Sequence, residues 1–330
     1  MLSRVADALY WMSRYIERAE NNARILDVNL QLMLDFQNEE TVRQHWEPII
    51  NSLEEHDLFY SLHAEANART VVDFVSFEKK NPHSICSSIV RARENARTVR
   101  EHASSEMWEQ INRLYLYLGS AASRNVFAGS AYEFFKSIVD ASHLFQGITD
   151  ATMTHGEGWD FIQVGKFAER ADRTSRILDV KYHLLLPTGE KVGGNVDVIQ
   201  WMAVLKSCSG LEAYKKLYVG EVAPWRVAEF LITHDGFPRS IRFCVNRLDL
   251  ALHRISGSDR THYANEPERL SGRLSSDLAY STIGDVFNIG LHQYLDRIQS
   301  RIVDVSDAMH KTYCEWMEEE TDKSTSPAAQ

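Results

Sequence analysis

The stretch Glu17-Arg18-Ala19-Glu20-Asn21-Asn22-Ala23-Arg24-Ile25-Leu26-Asp27-Val28 returns as Glu169-Arg170-Ala171-Asp172-Arg173-Thr174-Ser175-Arg176-Ile177-Leu178-Asp179-Val180, with eight of twelve positions identical at an offset of 152. A long-period repeat sets the architecture before any other feature. Both copies lack Gly and Pro and are rich in Ala, Leu, Glu and Arg, so both read as helix. At about 100° per residue, Met12, Tyr15, Ala19, Ala23, Leu26 and Leu30 share one side. Val164, Phe167, Ala171, Ser175, Leu178 and Tyr182 are their counterparts. These stripes face a core. The opposite sides carry Arg14, Glu17, Asn21, Arg24 and Val28, and Lys166, Glu169, Arg173, Arg176 and Val180.

Two readings of the charged sides compete. Alternating charge on a helix ordinarily marks a solvated face with weak ion pairs. Against this, the stripe persists where the surrounding repeat diverges, and it ends in a valine. The second reading packs the two helices together and buries Glu17, Glu169, Arg24 and Arg176 in a polar seam, either structural or able to bind an anionic ligand. Adjacent Glu and Arg do not face each other on a helix. Arg18 and Arg170 therefore point away from Glu17 and Glu169, and the stem of Arg18 is placed to cover apolar surface near Ile25 and Leu26.

The duplication extends along the chain. Val71-Val72-Asp73-Phe74-Val75 matches Val227-Ala228-Glu229-Phe230-Leu231, and Pro82, Ser84, Ile85 and Arg91 match Pro238, Ser240, Ile241 and Arg247, all at an offset of 156. Trp46 and Ser52 match Trp201 and Ser207 at 155. Period-2 alternation is nearly absent, so no sheet is expected. The expectation is an all-α protein: a duplicated unit, residues 1–152 and 153–320, packed as one pseudo-twofold multi-helix bundle, with a flexible tail at 321–330. Pro82 is expected in the first turn of a helix running to about His102. Gly119 to Gly129 and Val192 to Asn195 read as connectors. Ser256 to Ser276 reads as broken and polar, and Tyr280 to Glu319 as one long helical pattern.

The 330 residues carry a formal charge of −10, which argues against a general nucleic-acid surface. No run approaches the roughly 20 apolar residues of a membrane span. The N-terminus lacks the apolar core of a signal peptide. Cys86, Cys208, Cys244 and Cys314 are far apart and form no CxxC, so reduced thiols in a cytoplasmic protein are expected, without a metal cluster or disulfide framework.

Chemistry is harder to find. HExxH, Walker A, GxSxG and GxGxxG motifs are absent. His102 with Glu106, and His310 with Cys314, are i, i+4 pairs, but two ligands fall short of a tight site. His83 is replaced by Arg239 in the second half and is no invariant ligand. No metal and no cofactor are expected. Arg91, Arg93 and Arg97 mark a second cluster; Arg93, Arg97 and Arg100 share a face suited to carboxylates or phosphates, or to ion pairs with a neighbouring helix.

The opening Met1-Leu2-Ser3-Arg4-Val5-Ala6-Asp7-Ala8-Leu9-Tyr10-Trp11-Met12-Ser13-Arg14-Tyr15-Ile16-Glu17-Arg18-Ala19-Glu20-Asn21 resembles the alpha-E proteins, a bacterial all-helical family named for its Glu-Arg motif. The likeness continues through Arg91-Ala92-Arg93-Glu94-Asn95-Ala96-Arg97, Met107-Trp108-Glu109-Gln110-Ile111-Asn112 and Phe167-Ala168-Glu169-Arg170-Ala171-Asp172-Arg173-Thr174. The resemblance implies a circularly permuted ATP-grasp protein as partner and a transglutaminase-like protein nearby, hence a peptide- or amide-forming system. It carries over no catalytic residues beyond the motifs Glu17-Arg18 and Glu169-Arg170. No ATP-grasp portion is present in this sequence, so the ligase is expected to be a separate polypeptide.

Three functions follow: an accessory or substrate-holding subunit of such a ligase, binding through Glu17, Arg18, Arg24, Glu169, Arg170, Arg173, Arg176, Arg91, Arg93 and Arg97; an amide-bond transferase or hydrolase using Glu17 or Glu169; or a structural module, compatible with homo-oligomerisation. The first is preferred. The second suffers because a carboxylate beside arginines has a lowered pKa and is a poor base.

Overall fold

Residues 3–34 contain no Gly or Pro, and they form one uninterrupted helix, α1 (Ser3–Leu34). The computed structural model describes residues 1–34, 46–51, 53, 55–120, 126, 130–184 and 195–315, without the side chains of 34, 180–184 and 195–197. A helical segment at 46–51 precedes α2 (His56–Leu62) and α3 (Ala68–Ser76). Then come α4 (Ile85–Thr98), α5 (Ser105–Gly119), α6 (Ala131–Thr152) and α7 (Glu157–Leu184). The second half continues with α8 (Asn195–Ser207), α9 (Leu211–Leu217), α10 (Pro224–Thr233) and α11 (Ile241–Ser256). It closes with α12 (Glu266–Tyr280), α13 (Ile283–Ile289) and α14 (Leu291–Tyr313). Every regular element among the described residues is helical, as the sequence pattern predicts.

Local chemistry sets the boundaries. Asn67 and Thr70 form a reciprocal capping box at the start of α3. Ser84 caps α4 by accepting from the Ser87 amide, and Ser240 caps α11 by accepting from the Phe243 amide. Pro82 therefore lies before the cap rather than in the first turn. Two further expectations need correction. The polar stretch expected to be broken contains α12, which Asn265 caps and which carries Pro267 inside its first turn. The expected single helix after Tyr280 is divided, because Thr282 and Asp285 box the start of α13 and Gly290 takes φ +100° before α14. Of the expected connectors, Gly119 instead ends α5 and Asn195 opens α8; the rest of 119–129 and 192–195, and the tail at 321–330, fall largely or wholly outside the described residues.

The centre of the molecule is the pair α1 and α7. Helix α1 also packs on α4 and α6, while α7 packs on α11 and α14. Helix α5 bridges α4 and α6, and α12 bridges α11 and α14. One continuous apolar core joins both halves, including Leu9, Ile16, Phe74 and Phe135 with Phe161, Phe230, Leu252 and Leu295. Helices α1 and α7 are thus enclosed on most sides. Met12, Ala19, Ala23 and Leu26 are buried as predicted, and so are Glu17, Glu20, Asn21 and Arg24 opposite them. Val28 is buried with Leu32 against Ala203 of α8, which explains an apolar residue at the end of a charged stripe. Gly165 allows the central contact: a Cβ there would lie 2.3 Å from both the Ser13 Oγ and the Tyr10 carbonyl oxygen. The two backbones touch one turn ahead of each Glu-Arg pair.

Candidate functional site

One turn past that contact, each Glu-Arg pair engages the other helix. Arg18 donates from Nε and Nη2 to the two oxygens of Glu169, at 2.6 and 2.8 Å. Arg170 donates in the same fork geometry to Glu17, both bonds 2.8 Å. The arginine that faces away from its neighbouring glutamate finds its partner across the interface. Bidentate guanidinium–carboxylate pairs are among the strongest and most directional hydrogen-bonded contacts.

Each glutamate has further donors. Arg14 donates to Glu169 at 2.9 Å and Arg173 at 3.1 Å. Glu17 also accepts from Arg239 at 2.9 Å and, more weakly, from Asn21. Arg239 bonds Glu20 as well, and Glu20 receives Arg24 and, at 2.7 Å, the Ser142 hydroxyl. Burial alone would raise these carboxyl pKa values. At Glu169 the surrounding Arg18 and Arg14 outweigh burial and hold the group well below its usual range. At Glu17, Arg170 and Arg239 outweigh burial and lower the pKa, and at Glu20, Arg239 leads in holding it well below the usual range. All three are ionised at neutral pH.

The expected seam is present: Glu17, Glu169 and Arg24 are buried in it, Arg176 is half-buried at its edge, and Arg14, Arg18, Arg170 and Arg239 join them. Arg24 pairs with Glu20 and reaches the Ser209 hydroxyl, and Arg176 pairs with Asp172 at 2.9 Å. Each thus takes an acid one turn back on its own helix, where the helical wheel suggests Glu17 and Glu169. The second arginine cluster stands apart. Arg93 bonds Asn112 and lies over Trp108 and Tyr115, and Arg97 pairs with Glu94 on the exposed face of α4. Arg91 is nearer, over the Tyr15 ring that Arg18 also covers.

The wheel also misses His83 and Arg239. Each sits one residue before a capping serine, with its side chain directed into the seam. Asn22 donates to the His83 carbonyl at 2.8 Å, and Thr174 donates to the Arg239 carbonyl at 2.9 Å. Arg18 Nη1 lies 2.8 Å from His83 Nδ1, which must accept, and His83 Nε2 lies 3.3 Å from Glu55. Burial, Arg18 and Arg173 lower the His83 pKa to about 4, so the ring is neutral. The alignment of His83 with Arg239 at the repeat offset was the available signal; their difference in charge concealed their shared position.

A pocket of about 350 Å³ opens beside this network. Arg14, Arg18, Arg173, Arg176 and His83 form one wall with Tyr10, Trp11 and Asp172, and α14 forms the other with Val303, Ser306, Asp307, His310 and Lys311. Arg173 uses Nε on Glu169, and its terminal nitrogens meet no hydrogen-bond partner among the described residues. Burial leads in lowering its pKa, with Arg18 and Arg176 adding to it and Glu169 and Asp172 opposing it. Asp172, Asp307 and Glu315 also line the pocket, so its basic side chains are partly offset by acids.

A family model described as "a predicted alpha-helical domain with a conserved ER motif" matches residues 1–314. The chain belongs to the Alpha-E family. The Glu17-Arg18 and Glu169-Arg170 sequences of this chain form the crossed pairs Glu17–Arg170 and Glu169–Arg18. This Alpha-E chain is similar to an uncharacterized protein of Mycobacterium bovis, 24% identical over 336 residues, covering 94% of this chain and 36% of the relative. Two uncharacterized proteins of Mycobacterium tuberculosis match over the same shares, at 24% and 23% identity. The chain spans about a third of the length of these relatives. No solved structure matches. Among the described residues of this Alpha-E protein, no helix is long and apolar enough to cross a membrane. The four cysteines are free thiols.

Proposed function

We propose that this protein is a cytoplasmic accessory subunit that holds an anionic or peptide substrate for an ATP-grasp-type amide ligase. The observation that carries the reading is the pocket where Arg14, Arg18, Arg173 and Arg176 converge beside a neutral His83. The terminal nitrogens of Arg173 suit the planar fork of a carboxylate or phosphate. The partner role rests on the family resemblance, which associates such chains with circularly permuted ATP-grasp proteins and transglutaminase-like proteins.

The reading includes a doubled helical unit, 1–152 and 153–320, related by a pseudo-twofold axis between α1 and α7. The exchange of Arg18 and Arg170 supports it. So do the paired packing of α1 with α4 and α6 and of α7 with α11 and α14. In this reading the Glu-Arg motifs are locks that fix the two halves, and the pocket is where the halves have diverged. Arg14, Arg173 and His83 answer to Lys166, Asn21 and Arg239. A general-base role for Glu17 or Glu169 fits less well, because both carboxylates are buried, saturated with donors and held ionised.

The test is calorimetric titration with a short acidic peptide, and pull-down of the cognate ATP-grasp ligase. Wild-type protein is expected to bind the peptide with a salt-dependent affinity, and Arg173→Gln to bind at least about tenfold more weakly, the loss of roughly 1.4 kcal/mol. Absence of peptide binding at millimolar concentration overturns the substrate-holding role. A ligase that neither associates at micromolar concentration nor responds in rate overturns the accessory role.

A further inference from the structure

We propose that Asp7, His310 and Cys314 form a binding site for a transition-metal dication such as zinc, set at the rim of the basic pocket. The cluster is assembled from opposite ends of the chain. His310 and Cys314 stand one turn apart at the end of α14, where i and i+4 side chains share a face. Asp7, from the second turn of α1, completes the set, its Oδ1 lying 3.3 Å from His310 Nδ1. One donor atom from each residue lies within 4.8 Å of the others. Tetrahedral bonds of about 2.0–2.3 Å to N, O and S place ligand atoms roughly 3–4 Å apart, so modest side-chain rotation closes the trio on one ion.

The donor set selects the metal. One thiolate, one imidazole and one carboxylate form a borderline-soft site that suits zinc, and is unlike the all-oxygen shells of calcium and magnesium. Three protein ligands leave room for a water or a substrate oxygen, the arrangement of catalytic rather than structural zinc sites. His310 also lines the pocket that holds Arg14 and Arg18. Asp7, Trp11, Arg14 and Arg18 follow one another along α1 between the two sites. The trio is half-buried, so an ion has a route in.

The experiment is titration of the full chain with cobalt(II), followed by competition with zinc. Wild-type protein is expected to bind one cobalt with the near-ultraviolet absorption of a thiolate-to-metal charge transfer, and zinc is expected to abolish it. Cys314→Ser removes that band and weakens zinc binding at least about tenfold, the low end of what even outer-shell changes cost. Cys86→Ser leaves both unchanged. His310→Gln gives an independent variant, and circular dichroism establishes that each variant keeps its helical content. Cobalt binding without the thiolate band, or equal zinc affinity in wild type and Cys314→Ser, overturns the proposal. So does the absence of cobalt binding to wild type.

Discussion

Glu169 is buried among three arginines, and its charge decides what they cost. With the carboxylate in place, Arg18, Arg14 and Arg173 are each neutralised or bonded. Removal of one partner from a buried ion pair leaves uncompensated charge and costs about 3–5 kcal/mol. Glu169→Gln is therefore expected to lower unfolding free energy by that amount in urea denaturation, with the helical content of the native baseline unchanged. Loss below about 1 kcal/mol would mean that solvent reaches the pair. The pH dependence has the same origin. Glu169 and Glu17 titrate below their usual 4.5 in the fold, so their stabilisation is present above that value and lost as pH falls toward the folded pKa. His83 adds an earlier phase. Its folded pKa of about 4 lies below the ordinary 6.5, so between those values the unfolded chain binds the extra proton and stability falls with acidification. His83→Gln is expected to remove about 1–2 kcal/mol of that decline, discounted for the partial exposure of the ring, as measured by denaturant midpoints from pH 7 to 4.5. An unchanged slope would refute the assignment of a neutral His83.

At the scale of elements, α1 and α7 are joined by a backbone contact as well as by charge. Ordinary helix propensity favours Ala over Gly by about 1 kcal/mol. At Gly165 this gain is opposed by a Cβ that would press on the Tyr10 carbonyl, a backbone atom that cannot rotate away. Gly165→Ala is expected to destabilise the protein by about 1–3 kcal/mol, read as a lower thermal midpoint, and to lengthen the Arg18–Glu169 bonds. Gly147→Ala, inside α6 with nothing within 4 Å of its added Cβ, is the matched control. These elements also mark what sequence could and could not disclose. The positions of α1, α3, α7, α10 and α11 follow from periodicity and repeat. Helix α12 was hidden because its apolar positions are spaced among Ser, Gly and Arg, with Pro267 at its start. The membership of the seam was hidden for a geometric reason. A helical wheel orders residues around one axis, whereas Arg18 and Arg170 are long enough to cross to a second axis that the wheel does not contain. His83 and Arg239 come from loops, where periodicity says nothing.

For the whole molecule, the crossed pairs make each half dependent on the other. Residues 1–152 alone contain Glu17 and Glu20 but lack Arg170 and Arg239, their partners from the second half. The resulting deficit of several kcal/mol is comparable to the whole stability of a typical domain, about 5–15 kcal/mol. A fragment of 1–152 has one way to recover: a second copy can offer its own Arg18 to Glu17. That substitution is imperfect. Under the proposed pseudo-twofold relation, His83 takes the place of Arg239, which reaches Glu17 and Glu20, and Ser13 takes the place of Gly165, which admits the close backbone contact. The isolated fragment is thus expected to be a poorly folded chain or a weak self-associating one, and mixing it with 153–315 is expected to restore a 1:1 complex with cooperative unfolding. Sedimentation and thermal unfolding of the fragments, alone and mixed, decide the matter. A fragment 1–152 that is monomeric and unfolds cooperatively at the midpoint of the full chain would show that the Glu-Arg exchange joins two independent units rather than building one.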